Sequence, residues 1–150
     1  MIMKGFQFNL NRVLDVRKLE EQLSRNRLLG EKHKAAQIEG ELEELNHKQH
    51  KIYNYLREKD NEITVEEMLQ TRNFIHRQRR QIKQVSGKLS KQMTEVEKCN
   101  TEFIEKKKKK EILEKLKEKE YQQYRQELFR KEQQLIDEIN QQLKKGRWFE

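Results

Sequence analysis

A chain of 150 residues that is 40% charged, 33% hydrophobic and free of proline cannot wrap a thick core around itself; globular domains are about 45–50% apolar. What remains is either disorder or long paired helices, and a fixed apolar period decides for helices. The formal charge of +8 raises anionic partners as a question and settles nothing about fold.

In chain order, Asn9 or Asn11 can cap a first helix that runs to about residue 60. Along it Leu28, Ala35, Ile38, Leu42, Leu45, Ile52, Leu56 and Ile63 recur at the alternating three and four spacing of one helix face. The stretch REKDNEITVEEML, Arg57 to Leu69, then breaks the pattern: Asp60 and Asn61 favour turns, and Thr64 with Glu67 makes a capping box. A turn at 60–63 is too short for anything but antiparallel neighbours.

The second helix should run from 64 to about 145, with Gly146 as a left-handed stop. Met68, Ile75, Ile82, Leu89, Val96 and Phe103 fall at seven-residue spacing, with Val65 and Met93 at a companion position three residues earlier. That companion position also holds Arg72 and Arg79, long cations able to snorkel along the groove. Gly30, Gly40 and Gly87 lie inside helices at about 1 kcal/mol each relative to Ala; the pairing sum sets Gly87 close to Ala35, Ala36 and Ile38, where close helix approach or local flexibility would explain it.

The expected fold is therefore all-α: a long two-helix antiparallel coiled-coil hairpin, one domain over 1–150, with an overhanging C-terminal part of helix 2. At 1.5 Å per residue the helices are roughly 78 and 120 Å long. With Met68 opposite Leu56, partner numbers sum to about 124, and the first helix is used up near residue 115. The remainder carries Leu116, Tyr121, Tyr124, Leu128, Phe129, Leu135, Ile136, Ile139 and Leu143, which Phe6 and Phe8 cover only a little. An uncovered apolar stripe of this kind marks an interaction site or a homo-oligomer contact.

No phosphate loop, nucleophile elbow or strand gives catalysis a foothold, so no enzyme and no cofactor is expected. His33, His47, His50 and His76 form no metal-ligand set, and the single Cys99 fits a reducing compartment. HRQRRQIK, His76 to Lys83, and the lysine run 106–110 are basic clusters, but acidic residues interleave around them and stacking aromatics are missing. No nucleic-acid partner is expected, although a basic RNA- or membrane-surface-binding hairpin stays open. Neither a signal peptide nor an apolar run near 20 residues is read in this sequence, so a cytoplasmic location is expected.

FQFNLNRVLDVRKLEEQ, Phe6 to Gln22, resembles the start of the flagellar export protein FliJ family. VEEMLQTRNFIHRQRRQI, Val65 to Ile82, is similar to the segment after that family's turn, and YRQELFRKEQQLIDEINQQ, Tyr124 to Gln142, to its Glu-rich tail. The resemblance implies a non-enzymatic stalk of the flagellar type III export apparatus, peripheral to the inner face of the membrane. Its partners would be the centre of the hexameric export ATPase, the membrane export gate and export chaperones. Carried over, the gate-facing surface near the turn would use Leu45, Ile52, Tyr53, Phe74 and Ile75. The ATPase-facing open end would use Leu10, Val13, Leu14 and Arg17 with Tyr121, Tyr124, Leu128, Leu135 and Ile139 of the overhang. A virulence-type secretion stalk and a generic coiled-coil scaffold remain as alternatives.

Overall fold

The computed structural model describes residues 5–59 and 62–148, the side chains of 147 and 148 excepted. Two helices, α1 (Asn11–Glu58) and α2 (Val65–Trp148), form an antiparallel hairpin, and no strand occurs among the described residues. Of the expected turn, Asp60 and Asn61 lie outside the described residues; Glu62 N donates to Lys59 O across them at 3.1 Å. Thr64 caps α2 as its spacing to Glu67 predicts, its Oγ1 accepting from Glu67 N at 3.3 Å and its carbonyl from Met68 N at 3.0 Å. Neither asparagine plays that part for α1. The first helical bond runs from Leu14 N to Leu10 O at 2.8 Å, which makes Leu10 the cap residue, and Asn11 Oδ1 instead accepts from Lys117 Nζ.

Contacts divide the chain into two compact units, one joining the residues up to Glu21 with those from Lys106 onward, the other Gln22–Glu105. In the second unit Leu28, Ala35, Val96 and Cys99 form the buried cluster, with Phe103 packed against it. From Leu42 to Leu56 the α1 seam is only half-buried, as a two-helix contact must be. Ile75, Ile82, Leu89, Val96 and Phe103 hold the seam as the heptad predicts, but the companion position is three residues later, not earlier. It carries Thr71, Gln78, Val85, Gln92 and Cys99. Val65, Met68 and Met93 are exposed, and Arg72 and Arg79 stand beside the seam rather than in it.

Polar residues in the seam are why the apolar pattern pointed the wrong way. Gln78 is 3% exposed and its Oε1 has no hydrogen-bond partner among the described residues. Gln92 Nε2 donates to both the carbonyl and the carboxylate of Glu31. The register is close to the expected one at Gln92. On both sides of it the contacts run higher: Glu102 meets Arg27 at 3.3 Å where the sum of 124 sets it beside Gln22, and Arg79 meets Tyr53 where that sum sets it beside Leu45. Gly30, Gly40 and Gly87 mark no close approach, since a Cβ at any of them would meet nothing within 4 Å.

In the first unit Leu14 is 1% exposed and Phe8 is buried. Lys106 and Lys110 of the lysine run point at α1, 3.7 Å from Glu20 and 3.8 Å from Glu21. Long aliphatic stems let these lysines occupy seam positions while their ammonium groups reach carboxylates. Cover for α2 extends further than the expected residue 115. Phe6 meets Tyr121 at a ring separation of 5.3 Å and Tyr124 at 5.7 Å, so the aromatic lead-in takes over where α1 begins. From Phe129 to Gly146 every side chain is exposed. Gly146 is no stop: α2 continues through it, and no described glycine has positive φ.

Candidate functional site

Two apolar surfaces are exposed, one on each unit. Near the turn, in the Gln22–Glu105 unit, a hollow of about 540 Å³ is lined by the apolar Leu56, Ile63, Val65, Met68, Leu69 and Ile75 together with Tyr53, Thr71, Arg72, His76 and Arg79. It exists because α1 ends at Glu58 while the Thr64 cap restarts the chain as helix, so the first turn of α2 has no helix opposite it. Val65, at 76% exposed, is the extreme case. Arg79 Nη2 donates to Tyr53 OH at 3.0 Å and closes one wall. At the end of α1, Lys59 Nζ donates to Tyr55 OH at 2.8 Å, which pushes the lysine pKa up.

Of the residues the resemblance assigns to this end, Tyr53 and Ile75 line the hollow, and Leu45 and Ile52 are half-buried in the seam. Phe74 is 41% exposed and does not line it. Met68 and Leu69 contribute most of the free apolar surface together with Val65, and the sequence reading missed them as contacts because two of these three were placed in the seam. The signal was present in the cap: residues one to five after Thr64 lie beyond the last turn of α1.

On the other unit the expected contacts separate by burial. Leu14 is packed inside, so it has no surface to offer a partner, and Arg17 is tied to Glu20 at 3.0 Å. Leu10, Val13, Tyr121, Leu135 and Ile139 are exposed, while Tyr124, against the Phe6 ring, and Leu128 are half-buried. Phe129, Ile136 and Leu143 extend the α2 stripe, and Val16 and Leu19 of α1 are further exposed apolar side chains that the sequence reading did not single out. Among the described residues no three His, Cys, Asp or Glu side chains converge as metal ligands, and no helix is long and apolar enough to cross a membrane.

The family model described as "Flagellar FliJ protein" matches residues 6–147. The chain belongs to the FliJ family. It is thereby a flagellar protein associated with type III export. Among solved structures, a putative YscO homolog, CT670 from Chlamydia trachomatis, aligns with 23% identity over 93% of this chain and 95% of that one, at a TM-score of 0.45. No curated protein sequence matches this member of the family.

Proposed function

We propose that this FliJ-family chain is a non-enzymatic stalk of the flagellar export apparatus, binding the hexameric export ATPase through one unit and the membrane export gate through the other. It works on the cytoplasmic side, at the inner face of the membrane, and export chaperones are further partners with no residues assigned to them. The observation that carries this reading is the α2 segment from Phe129 to Gly146. Every side chain in it is exposed, yet five large apolar ones, Phe129, Leu135, Ile136, Ile139 and Leu143, recur at helical spacing. Such a stripe on a chain this polar fits a helix-in-groove partner. The hollow beside Val65, Met68 and Leu69 supplies a second, separate apolar surface for the gate.

Two variants test the division. Leu135→Asp with Ile139→Asp places carboxylates on the tail stripe, where desolvating them at an interface is costly. Met68→Asp with Phe74→Asp does the same near the turn. In pull-downs the first pair should lose the ATPase and keep the gate, and the second should do the reverse. Loss of the same partner by both pairs contradicts the two-surface reading.

A further inference from the structure

We propose that one flank of α2, from Val65 to Lys91, docks on an anionic lipid bilayer. Between Met68 and Thr94 the sequence contains no Asp or Glu, while seven Lys and Arg fall between Arg72 and Lys91. Among the described residues none of the seven makes an ion pair; Arg79 alone is engaged, by the Tyr53 hydroxyl. Lys and Arg from Lys115 to Lys145 also make no ion pair among the described residues, but Glu and Asp are interleaved with them, so an unbalanced positive charge is what sets Arg72–Lys91 apart, and folding of α2 does not require it.

Position makes the departure directional. Val65, Leu69, Arg72, His76, Arg80, Lys83, Gly87 and Lys91 succeed one another in steps of three and four, which sets them along one flank of the helix. The flank is roughly 39 Å long at 1.5 Å per residue. It begins with the exposed apolar side chains Val65, Met68 and Leu69 and continues into a basic hollow of about 550 Å³ formed by Arg80, Lys83, Gln84, Gly87, Lys88 and Lys91. Gly87 lowers the floor of that hollow, because no side chain stands between Lys83 and Lys91 and nothing lies within 4 Å of where a Cβ would be. A phosphodiester headgroup can settle there among ammonium groups.

A bilayer answers both halves of the flank at once. Its headgroup plane offers anions to a row of cations with no fixed acceptor, and its acyl boundary, some 5–10 Å deeper, takes the three apolar side chains. No aromatic side chain stands along Arg77–Lys91 to stack on bases, which leaves RNA without the contacts that normally hold single strands. This inference shares Val65, Met68 and Leu69 with the surface proposed for the gate, and what it adds is the row of cations from Arg80 to Lys91, which lies outside that hollow.

Flotation of the full chain with lipid vesicles is the test. The chain should float with vesicles containing one-third phosphatidylglycerol, should not float with pure phosphatidylcholine, and should be released by salt. Each cation near such a surface is worth about fivefold in affinity, so Arg80→Gln, Lys83→Gln and Lys91→Gln together should weaken binding at least tenfold. Val65→Ser with Leu69→Ser should weaken it too, both variants keeping wild-type helical circular dichroism. No flotation with the anionic vesicles, equal flotation with neutral ones, or wild-type flotation of the triple variant would each overturn the proposal. Binding to a polyglutamate peptide or to RNA without binding to vesicles overturns it as well, in favour of an acidic macromolecule. Lipid-free gate pull-down with the triple variant should match wild type, so failure here and failure of the gate contact read out separately.

Discussion

The rings of Phe6 and Tyr121 meet edge to face with centroids 5.3 Å apart and planes inclined at 67°, an arrangement in which residues outside α1 cover a part of α2 that α1 cannot reach. Edge-to-face pairs of this kind add about 0.5–1.5 kcal/mol beyond the area they bury. Phe6→Ala should therefore lower stability by about 1–2 kcal/mol, and Phe8→Ala, which empties a buried site, by about 2–4 kcal/mol. Phe129→Ala, on a side chain 63% exposed, should stay within about 0.5 kcal/mol. Denaturant unfolding of the three variants checks the order; equal losses would mean that the aromatic lead-in is not part of the fold.

The seam position three residues after each heptad apolar residue can be tested at Gln78. Its carboxamide is buried with Oε1 unpartnered, so Gln78→Leu removes an unsatisfied acceptor and adds apolar contact. Stability should rise by about 1 kcal/mol. Arg79→Leu, one residue off the seam, should give no gain because it loses the bond to Tyr53. A larger gain at residue 79 than at 78 would restore the other companion position.

Glycines in open space predict a gain as well. Gly30 and Gly40 sit within α1 and a methyl group at either would touch nothing, so Gly30→Ala and Gly40→Ala should each stabilise the chain by about 0.5–1 kcal/mol. Thermal melts of the single variants measure this. A loss at either site would reveal a close neighbour after all.

The fold was legible where side chains are apolar. Leu28, Ala35 and Ile38 on one helix and Ile82, Leu89 and Val96 on the other announce two paired helices, and Thr64 with Glu67 announces the restart. Gln78 and Gln92 hid the companion position because a polar seam residue carries no hydrophobic signal, while Met93 one step away carries a false one. Gly146 misled for a related reason: a solvated helix end tolerates glycine at about 1 kcal/mol, with no tertiary contact forcing a left-handed turn. Of the surfaces, the tail stripe from Leu135 to Ile139 was readable from periodicity, whereas Leu14 could be sorted from Val13 only once packing was known.

Acid should loosen the hairpin in a direction fixed by its glutamates. The Glu31 carboxylate is held below its usual range, first by the bond from Gln92 and then by Lys34, and Glu20 is held low first by Arg17. A carboxylate lowered by folding stabilises at pH above its unfolded value, and that contribution disappears as pH falls through the folded one. Melting temperature should thus be level near neutrality and decline through and below the ordinary glutamate range. Glu31→Gln should lower the neutral-pH melting temperature slightly and flatten the acid decline; an unchanged decline would assign the pH dependence to other groups.

ATP hydrolysis by the purified export ATPase, followed with wild-type chain and with the Leu135→Asp, Ile139→Asp double variant, tests the stalk reading most directly. Both substitutions lie on exposed side chains of the α2 tail, so the hairpin should keep its helical content and its unfolding midpoint. Wild type should stimulate hydrolysis, and the double variant should leave it at the rate of the ATPase alone. Undiminished stimulation by the folded double variant would contradict the assignment of the tail stripe to the ATPase.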